Sequence, residues 1–231
     1  MRIKALIFDV DGTLAETEEV HREAFNRIFD EVGLNWHWSV DDYTRLLKTT
    51  GGKERMRKHR DDLGATEPSD DRIAELHKRK TAIYAEIVAS GNLNLRPGVR
   101  ELVSDARAAG IRVAVATTTN TPNVEALCQA CWGQPANEVF EVIAAGDEVD
   151  EKKPAPDVFN LALERLGLPA QDCIALEDSR NGLLSAHAAG IAVVVTPSAY
   201  TAKDDFSEAA HVVADLTHDN LPETLRFCSA Q

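Results

Sequence analysis

Short unbroken apolar runs alternate along this chain with longer stretches of helical periodicity, and that alternation restricts the fold more than any other feature. IKALIF (3–8), RVAVA (112–116), CIALE (173–177) and IAVVV (191–195) have the continuous apolar character of strands buried on both faces. EVIAA (141–145) is a weaker example, and HVVADL (211–216) extends the series. VRELVSDARAAG (99–110), NVEALCQAC (123–131), DVFNLALERLG (157–167) and GLLSAHAAG (182–190) read as the intervening helices. Gly110, Gly167 and Gly190 stand where C-caps are expected. Strand alternating with helix predicts an α/β fold, a parallel sheet with helices on both faces.

The alternation lapses between residues 17 and 92. EEVHREAFNRIFDEVG, VDDYTRLLKTTG, KERMRKHRDDLG and SDDRIAELHKRKTAIYAEIVASG all read as helices. Their apolar positions (Val20, Ala24, Ile28, then Ile73, Leu76, Ile83, Ile87) recur at helical spacing. The expected organisation is a Rossmann-like core of residues 1–16 and 97–231, with an all-helical domain at 17–92 inserted after the first strand. Hinges are expected near 15–18 and 92–97, with Arg96-Pro97-Gly98 as the turn that starts the next helix near Val99.

The 231 residues, 44% of them hydrophobic, suffice for a core plus a smaller domain. A net charge of -13 repels nucleic acid and anionic membranes, so neither is an expected partner. An anionic ligand would need a local basic pocket. The start MRIKALIFDVDG lacks a signal-peptide apolar region, and no apolar run approaches the roughly 18 residues of a membrane span. The expectation is a cytoplasmic protein, and a monomer because no exposed apolar stripe stands out. Cys128 and Cys131 form a single CxxC, with Cys173 and Cys228 elsewhere. Without a second pair or a thioredoxin-like context, the CxxC reads as two small apolar residues on one helix.

Ligands of open parallel sheets bind beyond the carboxyl ends of the strands. Asp9 and Asp11 stand at the first such end, and Thr117, Thr118, Thr119 and Asn120 follow RVAVA. Lys152 and Lys153 precede Pro154, and Glu177, Asp178 and Ser179 follow CIALE. Asp9, Asp178 and Glu177 are hard oxygen donors suited to Mg²⁺, which binds through one or two carboxylates plus phosphate. Thr117, the backbone N–H groups after it, and Lys153 suit a phosphoryl group. Each segment alone has a plainer account: a turn, a helix N-cap at Asn120 or Thr121, a surface lysine, or a cap at Asp178-Ser179. Their convergence on one sheet edge is what points to phosphoryl chemistry, with one carboxylate as nucleophile and its neighbour as acid/base.

FDVDGT, AVATTT, KKPAPDVF and ALEDSRNG, in this order, resemble the motifs of the haloacid dehalogenase superfamily, and the helical insert resembles its smaller helical cap. The resemblance implies that Asp9 is nucleophile and Mg²⁺ ligand, and that Asp11 is acid/base and ligates through its main-chain carbonyl. It makes Thr117 and Lys153 the holders of the phosphoryl group. Asp178 becomes the further ligand, with Glu177 a direct or an indirect helper. The second aspartate implies phosphate chemistry rather than dehalogenation.

The cap stretch TGGKERMRKHR (50–60) gathers Lys53, Arg55, Arg57, Lys58 and Arg60 in an acidic protein. One reading is a solvated helix face paired with Asp61 and Asp62. The other is a second phosphate grip, with Gly51 and Gly52 baring backbone N–H groups at a helix start and Lys53 and Arg55 supplying charge. Glu18, and less clearly Glu16, is placed to accept hydrogen bonds from sugar hydroxyls, or to complement a helix dipole. His21 is read either as orienting Asp11 or substrate, or as a surface residue; Tyr43 either lines the cleft or packs. GGKERM (51–56, Gly52, Glu54 and Met56 included) resembles the group of that superfamily called CbbY, encoded with Calvin-cycle genes. That likeness implies hydrolysis of xylulose 1,5-bisphosphate, an inhibitory by-product of Rubisco. A sugar phosphomutase of the β-phosphoglucomutase type, with Thr17 and His21 at matching places, is the alternative.

Overall fold

The computed structural model describes residues 3–91 and 93–227; of the positions singled out above, Asn92 and Cys228 lie outside them. The chain divides into two compact units, Met1–Glu16 with Leu93–Gln231, and Thr17–Asn92. In the first unit the apolar runs become β1 (Ala5–Phe8), β2 (Arg112–Ala116), β3 (Val142–Ala144), β4 (Cys173–Glu177), β5 (Ala192–Val195) and β6 (His211–Val212). They form one sheet in the order β3-β2-β1-β4-β5-β6, parallel throughout.

Side chains alternate across the sheet, and each face builds its own core. Leu6, Phe8, Val113, Val115, Ile174 and Leu176 pack on one face. They meet α5 (Val99–Ala108) and α6 (Thr121–Trp132) of the same unit through Leu102, Val103, Leu127 and Cys128. The other face is lined by small residues, Ala5, Ala114, Ala116 and Ala175. Against it lie α8 (Asp157–Leu166) and α9 (Arg180–Ala188), with Phe159, Ala162, Leu183 and Ala186 inward. The sheet is thus covered on both sides, which is why its strands read as continuous apolar runs.

Local chemistry sets the helix ends. Asn120 caps α6 by accepting from the Asn123 N–H at 3.1 Å, with Pro122 in the first turn. Ser179 caps α9, accepting from the Gly182 N–H at 3.2 Å. Gly167 ends α8 in the left-handed region; Gly110 and Gly190 lie one residue beyond the C-caps of their helices, also at positive φ. The four-residue α7 (Ala136–Val139) has no counterpart in the sequence reading. EVIAA and HVVADL form strands shorter than their apolar runs.

The second unit is built from α1 (Glu18–Glu31), α2 (Val40–Leu46), α3 (Gly52–Asp62) and α4 (Asp70–Ala89). Ser39 and Asp42 make a capping box at α2, and Ser69 caps α4. Phe25, Phe29, Trp38, Tyr43, Met56 and Tyr84 form its buried interior. Asn26 ties the α1–α2 connection to α1: its Nδ2 donates to the Trp38 carbonyl at 3.0 Å, and its Oδ1 accepts from the Trp38 N–H at 2.8 Å. Val20 and Ile87, expected on the apolar stripe, are only half-buried; Tyr84 and Val88 take the inner positions on α4. Among the described residues no helix is long and apolar enough to cross a membrane.

Two glycines with similar backbones separate conformational strain from steric room. A Cβ on Gly98 (φ +83) would stand 2.0 Å from the backbone carbon of Leu216, whereas one on Gly110 (φ +76) meets nothing within 4 Å. Gly110→Ala should cost about 1 kcal/mol from positive φ alone. Gly98→Ala should cost on the order of 3 kcal/mol, because overpacking adds to the same strain. Urea unfolding of the two variants, followed by circular dichroism, checks the ranking.

Candidate active site

Strand register brings the chemistry together. Phe8 pairs with Val115 on one side and Leu176 on the other, so the next residue, Asp9, stands level with Ala116 and Glu177. The Asp9 N–H donates to the Leu176 carbonyl at 2.9 Å, and the Thr117 N–H donates to the Ala144 carbonyl at 3.0 Å. β1 lies where the strand order reverses direction, between β2 and β4. At such a switch point the connections diverge and leave a crevice beyond the strand ends.

Lys153 occupies this place. Its Nζ donates to Asp9 Oδ1 at 2.7 Å, to Glu177 Oε1 at 2.6 Å and to the Ala116 carbonyl at 2.9 Å. The three side chains are almost wholly buried, at 4% exposure for Lys153, 8% for Asp9 and 0% for Glu177. Carboxylate oxygens of Asp9, Glu177 and Asp178 lie within 4.8 Å of one another. Burial raises the Asp9 carboxyl above its ordinary range; Lys153 pulls it down and the Asp11 charge adds to the rise. Burial also pushes Glu177 up to about 8, against the pull of Lys153 and with the Asp9 charge adding to it. Burial alone would lower Lys153, but the Asp9 and Glu177 carboxylates outweigh it and hold the ammonium above its usual value.

Two glycines make room for these acids. Gly12 turns at φ +85, and a Cβ there would stand 2.2 Å from Asp178 Oδ2; a Cβ on Gly182 would stand 1.9 Å from Glu177 Oε2. The Thr201 hydroxyl donates to the Asp178 carbonyl at 2.7 Å and lies 3.3 Å from its Oδ2. Asp11 is half-buried in the same turn, bridged to Ala15. After β2, Thr117 is fully buried and its Oγ1 accepts from the Thr119 N–H at 3.2 Å. The Thr119 hydroxyl accepts from Asn123 Nδ2 at 2.7 Å. Thr118 packs its carbonyl against Gly146, where a Cβ would come within 2.2 Å. Asn120 serves as the N-cap already described. Lys152 does not join Lys153: its Nζ donates to the Gly146 carbonyl at 2.8 Å.

The donor set suits a hard divalent cation. It is all-oxygen, buried and crowded with like charge, and a cation beside it would offset the burial that chiefly raises Asp9 and Glu177 together with the smaller like-charge repulsion. Glu177 is held by Lys153 through Oε1 and by the Asp178 N–H through Oε2 at 3.3 Å.

The residues singled out in the helical unit separate into groups. Arg55 is buried, donates to the Tyr43 hydroxyl at 2.7 Å and lies 5.0 Å from the Tyr43 ring centroid. That hydroxyl donates to Glu18 Oε2 at 2.9 Å, so Glu18, Tyr43 and Arg55 form one chain of contacts. Arg57, Lys58 and Arg60 match the plainer reading, paired with Asp70, Asp62 and Asp61. Lys53 has no ion pair among the described residues, and Arg55 Nε and Glu54 Oε2 are buried there without hydrogen-bond partners. Met56 is wholly buried, and a Cβ on Gly52 would stand 2.4 Å from His77 Nε2, so both have packing reasons for their identity. The surface reading of His21 is corrected: it is 6% exposed, stacked on Tyr84 at 4.3 Å, with its Nδ1 against Lys80 Nζ. Glu16 belongs to the sheet unit, 3.3 Å from Arg96 Nε.

Lys80 and Arg96 escaped the sequence reading. Lys80 lies on the inner stripe of α4, in step with Ile73, Leu76 and Ile83; a lysine at an apolar position was the available signal. Arg96 read as part of a turn, and nothing in its neighbourhood of sequence announces its contacts. The CxxC behaves as expected: Cys128 is buried, and burial, with Glu125 and Cys131 adding, pushes its thiol up to about 12.

Lys153→Met would leave Asp9 and Glu177 buried without their cation. With chelator present, the loss should be about 3–5 kcal/mol, read as a lower denaturation midpoint at pH 8. The wild-type value of about 8 for Glu177 already includes the pull of Lys153; without that pull the carboxyl stands higher, so at pH 8 the variant's folded state holds protons that the wild type and the unfolded chain have released. Protonation therefore favours folding, and the deficit should shrink as pH falls from 8 to 6.

The haloacid dehalogenase-like hydrolase family matches residues 3–190. Protein CbbY of Rhodobacter capsulatus is 62% identical over 217 residues, covering 94% of this chain and 95% of that protein. The crystal structure of CbbY from Rhodobacter sphaeroides in complex with phosphate superposes with a TM-score of 0.88 at 49% identity, covering 93% of this chain and 95% of that one. A mutant of the same CbbY in complex with xylulose-(1,5)bisphosphate gives a TM-score of 0.88 at 48% identity, with the same coverage. The buried carboxylate cluster at the sheet's switch point sits within the matched residues. The chain belongs to the haloacid dehalogenase-like hydrolase family, as a CbbY-like phosphatase.

Proposed function

We propose that the protein hydrolyses a sugar bisphosphate, xylulose 1,5-bisphosphate, in a Mg²⁺-dependent reaction through an aspartyl-phosphate. The observation that carries this reading is the Asp9–Lys153–Glu177 cluster with Asp178 beside it. The complex of a relative 48% identical with that bisphosphate supports the substrate.

An Asp9 carboxylate oxygen attacks phosphorus, forming one P–O bond while the ester P–O bond breaks. Asp11 gives its proton to the departing sugar oxygen. It then takes a proton from water, whose oxygen attacks the phosphoryl group and returns Asp9 with inorganic phosphate. Lys153 and Thr117, with the N–H groups through Thr118, Thr119 and Asn120, hold the phosphoryl oxygens. Asp9, the Asp11 carbonyl and Asp178 would hold Mg²⁺, which neutralises charge on the transferring group. Glu177 keeps Lys153 in place, accepting from its ammonium through Oε1. In the helical unit, Lys53 and Arg55 take the distal phosphate and Glu18 the sugar hydroxyls; Lys53, without an ion pair among the described residues, and Arg55 Nε, buried there without a hydrogen-bond partner, support this assignment.

Phosphate release from a panel of sugar mono- and bisphosphates, with Mg²⁺ and with chelator, tests the reading. Xylulose 1,5-bisphosphate should be the preferred substrate and chelator should abolish turnover. Isomerisation of a hexose phosphate with no phosphate released from any bisphosphate would overturn it. Asp9→Asn should abolish turnover and keep the fold, and Asp11→Asn should lower kcat about 10²–10⁴-fold. Mg²⁺ at a hundred times its dissociation constant should raise wild-type stability by about 2.7 kcal/mol, read as a higher Tm, and Asp178→Asn should lose most of that rise.

A further inference from the structure

Arg96 stands on the return segment from the helical unit, and its guanidinium is directed into the sheet unit rather than into solvent, with 9% of the side chain exposed. Its Nη1 donates to the Gly12 carbonyl and, at 2.7 Å, to the Thr196 carbonyl. Its Nη2 donates to the Pro197 carbonyl at 2.7 Å and to Thr196 Oγ1 at 3.2 Å. Nε lies 3.3 Å from Glu16 Oε1. Every guanidinium nitrogen is engaged, mostly with backbone carbonyls from two separate loops.

Both loops belong to the site. Gly12 directly follows Asp11, in the turn that also carries Asp9. The segment after β5 is tied to Asp178: the Thr196 N–H donates to the Glu177 carbonyl at 2.8 Å, and the Ser198 N–H donates to Thr201 Oγ1 at 2.9 Å. That same Thr201 hydroxyl donates to the Asp178 carbonyl. Gly12 also lies so close to Asp178 that a Cβ would collide with its carboxylate at 2.2 Å, and that Cβ would press on Ser198 Cβ at 3.2 Å. Arg96 is further fixed by its own backbone, since its N–H donates to the Leu14 carbonyl at 2.8 Å and Ala15 bridges Leu95.

We infer that Arg96 is a positioning residue that holds the Asp9–Gly12 turn in register with the 196–201 loop, and thereby sets the spacing between Asp9, Asp11 and Asp178. A planar fork with donors on three nitrogens meets carbonyls lying in different directions; an ammonium, a single point charge with three donors, does not span them. The catalytic part of this inference rests on the reading of Asp9, Asp11 and Asp178 given above; the structural part does not.

The test uses the full chain and p-nitrophenyl phosphate, so it does not depend on the sugar substrate. Arg96→Ala should lower kcat about 100-fold, the scale of a displacement near 1 Å in a reacting geometry. KM should change less than threefold and half-saturating Mg²⁺ should rise about tenfold. Guanidinium chloride at millimolar concentration should restore kcat at least tenfold, and ammonium should not. Arg96→Lys should resemble Arg96→Ala without rescue, and it serves as the second variant if Arg96→Ala does not fold. Amide hydrogen exchange of the metal-free protein should quicken in residues 9–16 and 196–201 in either variant, and spare α8. Wild-type kcat and Mg²⁺ dependence in a folded variant, or exchange quickened uniformly along the chain, would overturn the inference. If wild type released no phosphate, the functional reading would fall while local exchange would still decide whether Arg96 holds the two loops.

Discussion

A single ammonium between two buried carboxylates governs the sheet unit. Lys153 makes the close approach of Asp9 and Glu177 tolerable, and those acids in turn hold a lysine in a place where burial disfavours its charge. Such a cluster is poor evidence of stability, because the desolvation of each group offsets much of the attraction. Its value lies in geometry. The Asp9 carboxylate is held at one oxygen by the Lys153 ammonium, and the oxygen donors gathered beside it are of the kind that suits a divalent cation.

Most of this was legible because a parallel sheet turns sequence position into spatial position. Once FDVDGT, AVATTT and ALEDSRNG are each preceded by a buried strand, the strand ends must lie side by side, and Asp9, Thr117 and Asp178 follow. Lys153 was legible through its motif and its neighbourhood. The helical unit yielded its helices through periodicity but not its contacts. Nothing in sequence says that the Tyr43 hydroxyl lies between Glu18 and Arg55, since those three residues come from three different helices. Arg96 was hidden for a related reason: its partners are backbone carbonyls, which carry no residue signature.

The basic stretch of α3 shows how mixed a charge run can be. Its outer residues, Lys58 and Arg60, are the ion-paired surface face of a helix. Such pairs contribute little each. Arg55 faces inward on the same helix and is bound to a buried phenol. Composition treats these cations alike, and helical phase separates them.

Gly12 and Gly182 add a last element to the acid cluster. Neither offers a functional group, yet each fills with a hydrogen atom the space that any other side chain would take from a carboxylate. The site is therefore bounded by two deliberate vacancies in the covalent chain. The shape of the cluster is written as much in the atoms left out as in the oxygens supplied, and a chain that kept every acid but gained one methyl group at either glycine would keep the inventory of acids and lose its arrangement.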